Sequence, residues 1–278
     1  MARLTRLAAA FERLRAERRV GLVTFATAGD PDLARSGEIL LALDRAGADV
    51  LEVGVPFSDP MADGAVIQRA TERALAAGAN LRGVLDLIAG LRARIRAPIV
   101  VFSYANPLLR MGVEAFARRA ASAGVDGVLA LDLPIEEAGT FRATLAAEGL
   151  DVIFLLSPTT SDARIQRAAE LGSGFLYAIS RLGVTGARDR VAAGVEAMVR
   201  RIRSYTALPI AVGFGVSTPQ HVTEVGAYAD AAVVGSALVA VIAEHGQSPD
   251  LIRSVEGYVA WLKAGAVSEP RATVNPGR

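Results

Sequence analysis

The sequence predicts an α/β protein, a single (β/α)8 barrel of the TIM class with an extra N-terminal helix. Three observations carry this. Short apolar runs alternate with longer segments of helical spacing from one end of the chain to the other, the order that builds a parallel sheet. Several of the runs are apolar throughout rather than alternating, as strands covered on both faces are. The first run leads into "TAGDPD" and not into a glycine-rich phosphate turn, which argues against a doubly wound sheet.

In chain order, "MARLTRLAAAFERLRAERR" opens the protein. It is arginine-rich like a transit peptide, but Glu12 and Glu17 are atypical of one, and its apolar spacing suits an amphipathic helix. Eight strand candidates follow: "VGLVTFATA", "DVLEVGV", "PIVVFSY", "DGVLALDL", "DVIFLLS", "FLYAIS", "PIAVGFGV" and "DAAVVGSAL". The segments between them, such as "EAFARRAASAGV" and "EEAGTFRATLAAEGL", end on glycines of the kind that close helices. No composition break marks a second domain, so residues 1–278 read as one barrel, with a disordered tail expected over about 268–278.

The chain has 278 residues, 52% of them hydrophobic, enough for one large core. A formal charge of +1, with arginines dispersed among acids, gives no nucleic-acid footprint. The absence of cysteine excludes disulfides and thiolate metal sites. The longest apolar run, Ala231 to Ala243, is too short to cross a bilayer, so no membrane span is expected. A reducing, cytoplasmic setting fits these features.

In such barrels the active site lies at the C-terminal ends of the strands. "LEVGVPFSDPMADGAVIQ", Leu51 to Gln68, places one glutamate inside an apolar strand and two aspartates just beyond it. Side chains alternate along a strand, so Glu52 and Gly54 share a face opposite to Leu51, Val53 and Val55. If the larger apolar set meets the helices, Glu52 points into the barrel near its top. Two roles are then open to it: an ion pair with an arginine that ties strands together, or proton transfer. Asp59, followed by Pro60, suits capping of a turn or of the helix beginning near Ala65; Asp63 suits a position over the barrel mouth opposite Glu52.

Glycines cluster late in the chain, in "GVTG" (Gly183 to Gly186), "GFGVS" (Gly213 to Ser217) and "GSA" (Gly235 to Ala237), each after a strand. Exposed backbone N–H groups there suit a substrate phosphate, with help from a helix N-terminus. Phe25, Phe102, Tyr104, Leu129, Leu155, Tyr177 and Phe214 fall within or at the ends of strands and would suit a flat apolar substrate part, or ordinary barrel core. The single lysine, Lys263, is far along the C-terminal helical segment, which leaves no lysine for a Schiff base inside the barrel. His221 and His245, at helix ends, read as surface residues, and no metal site is expected. Acid–base chemistry by carboxylates on a phosphorylated substrate remains.

"LEVGVPFSDPMADGAVIQ", "SYANPL", "LDLPIEE", "SRLGVTG", "GFGVS" and "VVGSALV" resemble, in order and spacing, the tryptophan synthase α chain family, over nearly the whole chain from "TFATAGDP" to about Glu244. The resemblance implies a lyase that cleaves indole-3-glycerol phosphate to indole and glyceraldehyde 3-phosphate. It implies Glu52 as general acid and base, Asp63 as the partner of the indole N–H, and Tyr177 as support of the same pocket. Phe25, Tyr104 and Phe214 would lie near the indole, and Gly186, Gly215, Gly235 and Ser236 against the phosphate. "SRLGVTGARDR" would act as a lid, with Thr185 reaching Asp63. The family further implies a β chain, joined in an α2β2 heterotetramer and carrying pyridoxal phosphate, with no cofactor in this chain; Pro56, Asp59, Asn106 and Pro107 match its contact surface. Ala65 stands where the family usually has proline, which suggests a looser Asp63 loop, and Phe102 where an aliphatic residue is common.

Overall fold

A computed structural model describes residues 4–179, 194–213 and 215–266. All paired strands run parallel: β1 Gly21–Thr27, β2 Val50–Gly54, β3 Ile99–Ser103, β4 Gly127–Ala130, β5 Asp151–Val152, β6 Phe154–Leu156, β7 Leu176–Ile179, β8 Ile210–Gly213 and β9 Ala231–Val234. Their order in the sheet is β5-β4-β3-β2-β1-β9-β8-β7-β6. Each of the eight strand candidates is found, but "DVIFLLS" is divided in two. Asp151 and Val152 pair with β4, whereas Phe154 to Leu156 pair with β7. Ile153 bridges the break by donating its N–H to the Val128 carbonyl at 2.9 Å, so β5 and β6 act as one strand and the ring of strands is nearly closed.

Alternation sorts the strand residues into two cores. Leu22, Leu51, Val53, Ile99, Val101, Val128, Leu176 and Val212 face outward and are buried under the helices. Val23, Val50, Val100, Leu129, Ile153, Tyr177, Ala211 and Val233 form the interior core. Leu7, Phe11 and Leu14 of the N-terminal helix, α1 (Arg6–Ala16), belong to that interior core. The amphipathic spacing read at the N-terminus therefore plugs the lower end of the barrel, where the rings of Phe11 and Phe175 are 5.5 Å apart. Gly21 and Gly127 open β1 and β4 without side chains; a Cβ at either would come within 2.7–2.8 Å of Leu14 or Leu7.

Charges also gather at that lower end. The buried Asp49 carboxylate accepts from Arg19 at 2.8 and 3.0 Å and from the Leu22 N–H at 2.9 Å, and it pairs with Lys263 at 3.1 Å. The single lysine is thus occupied in joining the last long helix (Leu251–Lys263) to the bottom of the barrel. Closer to the top, Arg73 of the helix Ala65–Ala76 makes two 2.7 Å bonds to Asp30 beyond β1, which fixes the helix that follows the Asp63 loop. Among the described residues no single helix is long and apolar enough to cross a membrane. One pair, Ala65–Ala76 with Leu81–Arg94, passes on length and composition together but is bent by 89°.

Candidate active site

Glu52 occupies an interior position of β2, between Phe25 of β1 and Val100 of β3 in the strand register. It is only 1% exposed, and among the described residues neither carboxylate oxygen has a hydrogen-bond or ion-pair partner. The arginine pair open to it from sequence is absent there, and burial alone pushes its pKa up to about 8. At neutral pH the carboxyl is therefore mostly protonated, an acid aimed into the cavity.

That cavity, about 700 Å³ counted out to its open mouth, is lined in part by Glu52, Asp63, Phe25, Phe102, Leu155 and Tyr177. Asp63 enters it from the loop after β2 and is half-buried, and burial moves its carboxyl up to about 6 against the opposing pull of a Tyr104 hydrogen bond. The loop is held from two sides. The Tyr104 hydroxyl accepts from the Ala62 N–H at 3.0 Å, and Gln68 Nε2 donates to the Asp63 carbonyl at 2.8 Å. Ala65 is the first residue of the next helix, so these bonds anchor the loop in the absence of a proline. Gly64 is that helix's N-cap; Asp59 instead accepts from Ser58 within the turn, which leaves it exposed and not capping the helix.

Two aromatic rings are seated on glycines. Phe25 leans over Gly54, where a Cβ would be 2.6 Å from its ring tip, and meets Phe102 edge-on at 5.3 Å and 76°. Tyr177 leans against Gly213, where a Cβ would collide with its hydroxyl. Burial first, and the proximity of Glu52 second, raise the Tyr177 pKa well above the usual phenol range, so it stays a neutral donor beside the acid.

The opposite end of the cavity is built by Gly215, Val216, Gly235, Ser236 and Ala237. Gly215 has φ +83°, a left-handed conformation that a side chain would strain. Gly235 is the N-cap of the ten-residue helix Ser236–His245, whose first N–H groups lie at this end. Ser217, beyond Gly215, is gripped through its N–H by His221 Nδ1 at 3.3 Å and through its carbonyl by the Tyr258 hydroxyl at 2.9 Å. His221, expected at the surface, is 3% exposed, because within the first turn of the helix Pro219–Gly226 its ring turns back to accept from the Ser217 N–H.

Other sequence candidates fall out unevenly. Leu129 is not on the cavity wall; it is buried in the interior core, and Leu131, two residues on along the same face, lines the cavity instead. Tyr104 is also off the wall and acts through Asp63 and Ala62. Thr185, Gly186 and Phe214, with the "SRLGVTGARDR" segment, lie outside the described residues, as does the 268–278 tail. Of the candidate contact residues, Asp59 and Asn106 are exposed, Pro107 is half-buried and Pro56 is buried beneath the loop. Ile67, Val233 and Ala62 line the cavity without having been singled out. Strand alternation from Ala231 would have found Val233; Ile67 and Ala62 depend on how the loop folds back.

The sequence and fold are similar to those of known proteins. The family model of the tryptophan synthase alpha chain matches residues 11–263. The tryptophan synthase alpha chain of Geotalea uraniireducens is 50% identical over 262 residues, covering 94% of this chain and 98% of that one. Among solved structures, Mycobacterium tuberculosis tryptophan synthase superposes with a TM-score of 0.88 at 36% identity, covering 95% of this chain and 99% of that one. A chain of the Pyrococcus furiosus tryptophan synthase α2β2 complex gives 0.82 at 39% identity, covering 87% and 97%. The chain belongs to the tryptophan synthase alpha chain family, the enzyme subunit that cleaves indole-3-glycerol phosphate to indole and glyceraldehyde 3-phosphate in tryptophan biosynthesis.

Proposed function

We propose that this chain performs the cleavage by a retro-aldol path run by Glu52 and Asp63. The observation that carries the reading is the buried, unpartnered Glu52 in an apolar cavity that also holds Asp63 and ends at the Gly215 and Gly235 turns; burial raises its carboxyl to about 8. Neutral Glu52 gives its proton to C3 of the indole ring. The ring nitrogen becomes cationic, and the Asp63 carboxylate stabilises it through the N–H. Glu52, now a carboxylate, takes the proton of the hydroxyl on the adjoining carbon. The carbon–carbon bond breaks, its electron pair returns to the ring, and indole and the aldehyde are released with Glu52 protonated again.

Tyr177, near Glu52 in the wall, keeps water from it, while Phe25, Phe102, Leu131 and Leu155 enclose the ring. Backbone N–H groups at Gly215, Gly235 and Ser236 hold the phosphate against the helix N-terminus. We also assign Thr185 and Gly186 to substrate binding and Phe214 to the ring pocket, from the family motifs that carry them. We further propose that the chain works in the cytoplasm with a β chain in an α2β2 assembly. The exposed Asp59 and Asn106, with Met61 at 91% and Leu109 at 56% exposure beside them, mark the surface it presents. Pyridoxal phosphate chemistry then belongs to the β chain, and this chain's steps use its own side chains.

Assay of indole release by Glu52→Gln and Asp63→Asn, each with folding verified, tests the reading. A loss of about 10²- to 10⁴-fold is expected in each. Near-normal turnover in either would remove that carboxylate from the mechanism.

A further inference from the structure

We propose that Phe102 is a specificity-determining residue that, braced by Phe25, forms a rigid wall of the ring pocket and rejects indoles carrying substituents on that side. The inference rests on the assignment of this cavity to the indole ring.

The walls of the cavity differ in what stands behind them. Leu131 and Leu155 separate it from a second hollow of about 710 Å³, open to solvent and lined also by Leu133, Pro134, Phe154 and Arg164. A side chain there can yield into that space. Phe102 is half-buried and does not line that second hollow. In the strand register it stands between Gly54 of β2 and Leu129 of β4, the latter 1% exposed. Its ring is set edge-on against Phe25, and Phe25 is itself fixed by its seat over Gly54 and its 6% exposure. Moving Phe102 aside to admit a methyl group would break the edge contact and push Phe25 against a neighbouring strand. Interiors packed this closely resist even one added methylene.

A single methylene in a hydrophobic pocket shifts selection by roughly 10- to 200-fold. The test uses the reverse condensation of glyceraldehyde 3-phosphate with indole and with the four methylindoles substituted on the benzene ring. The readout is the ratio of kcat/KM for each methylindole to that for indole. This ratio is independent of the folded fraction of a variant. Phe102→Leu and Phe102→Val are expected to raise it about tenfold or more for at least one isomer, and Leu131→Val to change it less. Ratios within twofold of wild type for all four isomers in both Phe102 variants, or an equal shift from Leu131→Val, would overturn the proposal. If the wild-type chain does not condense indole itself, the cavity assignment fails and takes the inference with it; if indole reacts but the ratios stay fixed, the filter alone fails.

Discussion

The hydroxyl of Tyr177 lies against the bare Cα of Gly213, so that the phenol on β7 is seated by a missing side chain at the end of β8. The same device seats Phe25, the register neighbour of Glu52, over Gly54. Gly213→Ala is therefore expected to displace Tyr177 and to lower kcat/KM by about 10²-fold, as a 1 Å misplacement can. Adding Tyr177→Phe, which removes the colliding hydroxyl, is expected to recover part of the loss. Steady-state kinetics of the two variants decide it: a fully active Gly213→Ala would show that the seat is not needed.

Two carboxyls with separated pKa values predict a bell-shaped pH profile. The productive free enzyme has Asp63 ionised and Glu52 protonated, so kcat/KM should rise through about 6 and fall through about 8. Glu52→Asp, if it retains measurable turnover, should move the upper limb and leave the lower one. An activity plateau extending past pH 9 would contradict the protonated starting state of Glu52.

Burial of Glu52 also has a stability consequence, with a definite sign. The unfolded carboxyl titrates near its ordinary 4.5 and the folded one near 8, so between these values the native chain holds the extra proton. Stability contributed by that proton is complete below 4.5 and is lost as pH rises to 8. Glu52→Gln has no such loss. Its advantage over wild type should grow across this window, by up to about 1.4 kcal/mol per pH unit, to a few kcal/mol at pH 9. Urea unfolding at pH 5 and pH 9 measures it, and parallel curves for the two proteins would refute it.

Ala65 is the first helical residue after Gly64, whose φ of −77° and ψ of 161° already suit a residue preceding proline. Ala65→Pro is expected to stabilise the protein by roughly 0.4–1 kcal/mol by restricting the unfolded chain. It should leave kcat/KM within about twofold, since the Tyr104 and Gln68 bonds already hold the loop. A fall in melting temperature would show that the loop differs from the one described.

Most of this protein was written in its local sequence. Strand after helix after strand could be read from apolar runs, and the interior position of Glu52 followed from the period of two along β2, because side-chain direction in a strand is set by the backbone alone. Motif order and spacing carried the family. The tertiary structure decided what depends on neighbours from distant strands. It showed that Glu52 has no arginine partner among the described residues, so that it is not a strut and burial raises its carboxyl to about 8. It buried His221, whose partner Ser217 is near in sequence but whose cover comes from the helices around it. It moved the cavity wall from Leu129 to Leu131, since depth in a barrel depends on how far each strand is staggered against the next. Proton affinity, depth and rigidity are properties of an environment, and the environment exists only once the strands have closed around it.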